Sequence, residues 1–87
     1  MTKLYRFWIE FEHPPEYSPL GIGCGVTAID RDDAIALIFL HVFARHGKLE
    51  VKRIEENISV EAIEKEHVLP NMGNIAIRGV WFPLGYE

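Results

Sequence analysis

The stretch from Asp30 to Gly47 constrains this chain more than any other. Asp30 is a good N-cap and Asp33 follows three residues later, in the manner of a capping box. Asp32 and Asp33 suit the positive end of a helix dipole, and Arg45 and His46 suit the negative end. Gly47 can adopt the backbone that closes a helix. The spacing therefore predicts a helix over 31–46, about 24 Å long at 1.5 Å per residue.

Between those ends the helix is too apolar for packing on a single sheet. Packing on a sheet needs a stripe about 100° wide, and Ile35, Ile38, Phe39 and Val42 supply it. Leu37, Leu40, Phe43 and Ala44 fall outside it and need a second cover. Two covers are open. One is intramolecular: the segment Val80-Trp81-Phe82-Pro83-Leu84, or the Pro-rich loop with Tyr17 and Leu20, folds over the helix. The other is a second copy, giving a homodimer through the 34–44 helix face. The first is favoured, because large exposed apolar patches are rare on small monomers.

Strands flank this helix. Residues 3–12 alternate, with Tyr5, Phe7, Ile9 and Phe11 on one face and Arg6, Trp8, Glu10 and Glu12 on the other. Prolines break residues 13–21. A second strand is expected over 22–29, where Gly23 and Gly25 imply a bulge or a close approach to the backbone. A third is expected over 49–56, with a bulge near Lys52–Arg53 to restore its phase. Ser59 is placed to cap a short helix over 60–67, Pro70 stops it, and a last strand over 75–82 ends at Pro83. The order is ββαβ(α)β, an α+β fold of one domain over 1–87.

This order resembles the β-grasp, the ubiquitin-like arrangement. The resemblance implies a mixed sheet with one long helix packed across it and with the first and last strands as neighbours. It rests on element order alone, so it carries no function. The tail Leu84-Gly85-Tyr86-Glu87 lacks the diglycine of conjugated modifiers, and conjugation is not implied.

Composition narrows the function classes. Of 87 residues, 48% are hydrophobic and 25% charged, with a net charge of −4. Neither half is basic and there is no Lys/Arg run, which disfavours nucleic acid and anionic membrane surfaces as partners. The single cysteine, Cys24, forbids an internal disulfide and four-cysteine zinc sites. The longest apolar run, 34–40, is far below the ~20 residues of a membrane helix. A reducing cytoplasm is the expected compartment.

No motif for chemistry emerges, and neither a metal nor a cofactor is expected. Gly21, Gly23 and Gly25 precede a strand rather than a helix N-terminus, so they do not form a dinucleotide loop. His41 and His46 miss the i, i+4 spacing of paired ligands. Asp30-Arg31-Asp32-Asp33 lacks the glycine and the distal glutamate of a calcium loop. Glu10 and Glu12 lie about 7 Å apart along a strand, but a chain this small offers little cleft for a sugar. Cys24 becomes a nucleophile only if His13, His41, His46 or His67 approaches it, and buried, inert cysteine is the commoner case.

The aromatics remain. With first and last strands adjacent, Arg6, Trp8, Arg78 and Trp81 share an exposed sheet face, with the residue types of binding hot spots. The plainer reading is that one tryptophan closes the edge of the core. The expected function is a non-catalytic protein-interaction or assembly module. The alternative is a small ligand-binding domain or enzyme using the Cys24 region with a histidine.

Overall fold

The computed structural model describes residues 3–13 and 18–83. It has an α+β fold in which four strands form one sheet: β1 (Tyr5–Phe11), β2 (Cys24–Ala28), β3 (Val51–Glu56) and β4 (Gly79–Phe82). The order across the sheet is β3-β1-β2-β4, and every neighbouring pair is antiparallel. The expected α+β class and the ββαβ sequence of elements are found. The mixed sheet implied by the β-grasp resemblance is not: β4 pairs with β2 and lies at the edge opposite β3, so first and last strands are not neighbours.

Helix α1 starts as an α-helix at Arg31–Ile38, widens into a π-helical turn at Phe39–Phe43 and ends in an α-helical turn at Ala44–His46. Both expected ends are present. The Asp33 N–H donates to Asp30 Oδ1 at 2.8 Å, and Asp33 Oδ2 accepts from the Ile29 N–H at 3.0 Å. Gly47 closes the helix at φ +102°, its N–H donating to Phe43 O. The π turn alters the burial pattern. In an unbroken α-helix, 100° per residue would carry Phe43 about 180° from Ala34. The wider turn holds the chain back, so Val42 (0% exposed) and Phe43 (9%) both reach the core with Ala34, Leu37 and Ile38.

One face of the sheet packs against α1. Phe7, Ile9 and Phe11 of β1, Val26 and Ala28 of β2 and Val80 of β4 meet Leu37, Ile38 and Val42, and Leu20 joins them from a single 3₁₀ turn at Pro19–Gly21. The other face is covered by the chain between β3 and β4, through Ile58, Ile63 and Val68. That segment holds 3₁₀ turns at Val60–Ala62 and Leu69–Asn71 rather than the expected helix over 60–67. Ser59 makes no side-chain cap there, and the Glu64 side chain instead gathers the N–H groups of Glu66, His67 and Val68 into a tight turn. The last strand is also shorter than expected, because residues 75–78 form turns and Gly79 enters the strand at φ +148°.

Two bulges set the faces. The first lies where expected: Glu10 pairs with Arg53 and Phe11 with Val51, leaving Lys52 as the extra residue. The second is in β4, where Gly25 pairs with Phe82 and Val26 with Val80, leaving Trp81 over. Trp81 and Phe82 therefore both join the cluster on the far face, while Val80 stays on the helix side.

Candidate functional site

The four residues expected to share a binding face are dispersed. Arg6 and Trp8 alternate with core residues on β1 and point away from α1. Arg6 Nε donates to Ile58 O at 2.8 Å, which ties the far-face loop to the sheet. Trp81 does lie beside Trp8, with ring centroids 6.1 Å apart, but it is 2% exposed and thus core rather than surface. Arg78 is elsewhere. It precedes the turn into β4 and clasps Asp33 at the helix N-terminus, Nε to Oδ2 at 2.8 Å and Nη2 to Oδ1 at 2.5 Å. That clasp holds the Asp33 carboxyl below its ordinary range, the Arg78 hydrogen bond being the largest cause.

The two glycines explain how the tryptophans fit. A methyl group at Gly25 would come within 2.6 Å of Trp81 Cε3, and one at Gly23 within 2.7 Å of Trp8 Cζ2. Both indoles thus rest against bare glycine backbone, Trp81 at Gly25 in β2 and Trp8 at Gly23 just before it. The close approach implied by Gly23 and Gly25 is an indole-on-backbone packing, not a ligand site.

Trp8 and Arg78 line separate concavities: Arg78 borders one of about 230 Å³ beside the turn into β4, with Asn74 and Ile77, and Trp8 another. A cleft of about 300 Å³ opens between the far face and the 58–64 loop, with Trp8, Ile22 and Ile63 as apolar walls. Its rim carries Glu10, Glu55 and Arg53, and Arg53 pairs with both glutamates, at 3.8 Å to Glu10. Glu64 also lines it. Partial desolvation raises the pKa of this carboxyl, and the three N–H groups it accepts outweigh that and hold it below the ordinary range. Glu64, Glu66 and His67 lie within 4.8 Å of one another, all exposed, but the Glu64 oxygens are already engaged by backbone.

Cys24 is 0% exposed, sealed in the core, and burial pushes its thiol far above the ordinary range. In this state it offers no thiolate to a histidine or a substrate.

The second cover sought for the helix is only partly provided. Leu37 and Phe43 are buried, contrary to the simple stripe. Trp81 and Phe82 do not fold over the helix, since they pack on the opposite side of the sheet. Tyr17 and Leu84 lie outside the described residues. Phe39 remains 48% exposed and Leu40 65%. Phe39 stands edge-on to Phe43, with centroids 4.9 Å apart, and with Ile35, Leu49 and Val51 it walls a groove of about 330 Å³ between the π turn and the start of β3. β3 itself is an edge strand, and every residue in it is exposed except the half-buried Ile54. The sequence pointed to the helix face but not to its junction with β3, which depends on which strand the helix leaves uncovered.

Comparison with family models, curated proteins and solved structures finds no match. No helix among the described residues is long and apolar enough to cross a membrane.

Proposed function

We propose that this protein is a non-catalytic interaction and assembly module whose contact surface is the flank formed by the π turn of α1 and the edge strand β3. The observation that carries this reading is the pair Phe39 and Leu40, 48% and 65% exposed at adjacent positions, with Phe39 also walling a mainly apolar groove that Lys48 and Glu50 rim. Single exposed hydrophobics are ordinary, but adjacent large ones bordering a concavity mark interaction surfaces. The π turn adds support, because such turns in helices occur frequently at functional sites. Here it buries Val42 and Phe43 and leaves Phe39 and Leu40 outside.

The test is a pair of variants compared by light scattering on purified protein and by co-fractionation from native lysate. Phe39→Lys/Leu40→Lys adds charge to the proposed contact. Ile77→Lys adds it at a residue that is 63% exposed elsewhere and serves as the control. At Leu40 and Ile77 such a change alters stability by about 0.5 kcal/mol or less, and at Phe39 the loss of the edge-on contact with Phe43 adds about 0.5–1.5 kcal/mol, which circular dichroism and a melt of the variant would register. The first variant should migrate as a monomer without losing its fold, and the control should behave as the wild type. Wild-type protein that elutes as a free monomer under both conditions would end this reading.

A further inference from the structure

We propose that the partner at this flank is a second copy of the chain, joined by antiparallel pairing of β3 with its counterpart about a two-fold axis at Ile54. The inference rests on the assembly reading above and names its partner. Three observations lead to it. First, β3 pairs only with β1 among the described residues, so one row of its backbone groups faces outward. The Ile58 N–H donates to Arg6 O and the Glu12 N–H to Glu50 O, so β1 turns its even-numbered residues toward β3. Their partners Arg53 and Glu55 are thereby engaged, and alternation leaves the N–H and C=O of Ile54 and Glu56 free to pair outward.

Second, the charges of β3 complement their own reverse. The strand reads Val51-Lys52-Arg53-Ile54-Glu55-Glu56. With Ile54 opposite Ile54 of a second copy, Arg53 meets Glu55 and Lys52 meets Glu56, each twice. The Arg53–Glu55 contact falls at a non-hydrogen-bonded position, where opposing side chains come closest. A parallel in-register pairing would set like charges against each other instead. Charges that only guarded the edge could be of one sign throughout, whereas this order penalises parallel stacking and favours the two-fold. The present intrachain partners of these residues, Arg53 with Glu10 and Glu55 and Arg31 with Glu56, are all at the surface and free to exchange.

Third, the strand has an apolar side left open. The first turns of α1, Arg31–Ile38, pack over β2 and β4, and only the π turn approaches the start of β3, across a groove. Val51 at 37% and Phe39 at 48% are exposed on the helix side of that edge, with Ile54 half-buried at the proposed axis. Edge pairing would therefore extend the sheet and also give this flank a neighbour.

The experiment combines charge reversal with register-specific cross-linking on the full chain. Sedimentation should show a wild-type dimer. Arg53→Glu and Glu55→Arg should each weaken it about tenfold or more, since each places two repulsive pairs across the axis. The doubly exchanged Arg53→Glu/Glu55→Arg should restore it. Arg53→Cys and Glu55→Cys chains should form an interchain disulfide under mild oxidation when mixed, and far less when kept apart, because position 53 faces position 55 of the other copy and not its own counterpart. A dimer indifferent to these charges but dissolved by Phe39→Lys/Leu40→Lys would overturn β3 pairing and leave the assembly reading standing. A wild-type monomer at about 100 μM would overturn the second copy as partner, a dissociation constant beyond that being too weak for a specific dimer. The lysate co-fractionation would then decide the assembly reading separately.

Discussion

Adding one methyl group to Gly25 should markedly destabilise the packing on the far face of the sheet. Gly25 lies opposite Trp8 on one side and Phe82 on the other, with the Trp81 ring over it. Its φ is not in the left-handed region, unlike that of Gly23 at +141°, so alanine is conformationally acceptable and the clash is tested alone. The new Cβ would meet Trp81 Cε3 at 2.6 Å, where ordinary contact begins at 3.4 Å, so the ring has to retreat by most of an ångström. It has nowhere to go: Trp81 is 2% exposed and Trp8 lies behind it. Overpacking in a closed core costs about 1–3 kcal/mol, and a rigid aromatic neighbour places this case near 3. For a domain of this size that lowers Tm by about 12–24 °C. A double-mutant cycle with Trp81→Leu isolates the contact. Once the ring is removed, Gly25→Ala should cost less than about 1 kcal/mol, a coupling of about 2 kcal/mol. Thermal and urea melts followed by circular dichroism read all four proteins. A Gly25→Ala protein that melts within about 2 °C of wild type, or the same loss in both backgrounds, would refute the packing account.

Three further outcomes follow from single contacts. Thr27, 2% exposed, donates from Oγ1 to Ile75 O at 2.6 Å; Thr27→Val should cost about 1–2 kcal/mol in urea unfolding by stranding that carbonyl. Asp33 has its pKa lowered from 3.8, chiefly by Arg78, so its contribution to stability is complete above that ordinary value and is lost as pH falls through the folded one. Unfolding free energy should drop on acidification below about pH 4, and this part of the drop should vanish in Asp33→Asn, with an unchanged acid profile in that variant counting against the clasp. Cys24 should resist alkylation in the native protein at pH 8 and react fully in denaturant; rapid native labelling would show that the core around it opens.

Local signals in the sequence located the elements whose stability is local. The helix ends were legible because Asp30, Asp33 and Gly47 satisfy or close the helix by contacts within a few residues. The first bulge was legible because the phase of Leu49 and Val51 against Ile54 counts residues along one strand. The second was hidden, since Val80-Trp81-Phe82 are all apolar and all buried, and no alternation exists to break. The placement of β4 was hidden for a related reason. Which strand it joins is set by the long segment that crosses the far face and by Thr27 holding Ile75, contacts 48 residues apart in sequence. The candidate site inherits both limits. Arg78 and Trp81 are three residues apart, yet Gly79 and the β4 bulge send one to the helix N-terminus and the other into the core. Only the over-apolar helix pointed at the surface that remains, and the π turn decided which of its residues stay outside.

The open flank is a geometric consequence of having one long helix and four strands among the described residues. A helix with its side chains is about 10–12 Å across, and strands are spaced about 4.8 Å apart, so one helix covers little more than two strands. The first turns of α1, Arg31–Ile38, sit toward β2 and β4, where Arg78 anchors the helix N-terminus to the approach to β4. The uncovered strand must then be β3, at the opposite edge. Such an edge invites pairing, and its own side chains determine with what. A hydrophobic β3 would pair indiscriminately, and one of a single charge sign would repel every copy of itself. Two basic residues, an isoleucine and two acidic residues do neither: they exclude the parallel stacking that propagates and permit an antiparallel pair that closes on itself. Such a pair would close, because it would consume the β3 edge of both copies, while the remaining edge, β4, is a four-residue strand with a bulge and offers little to a further chain.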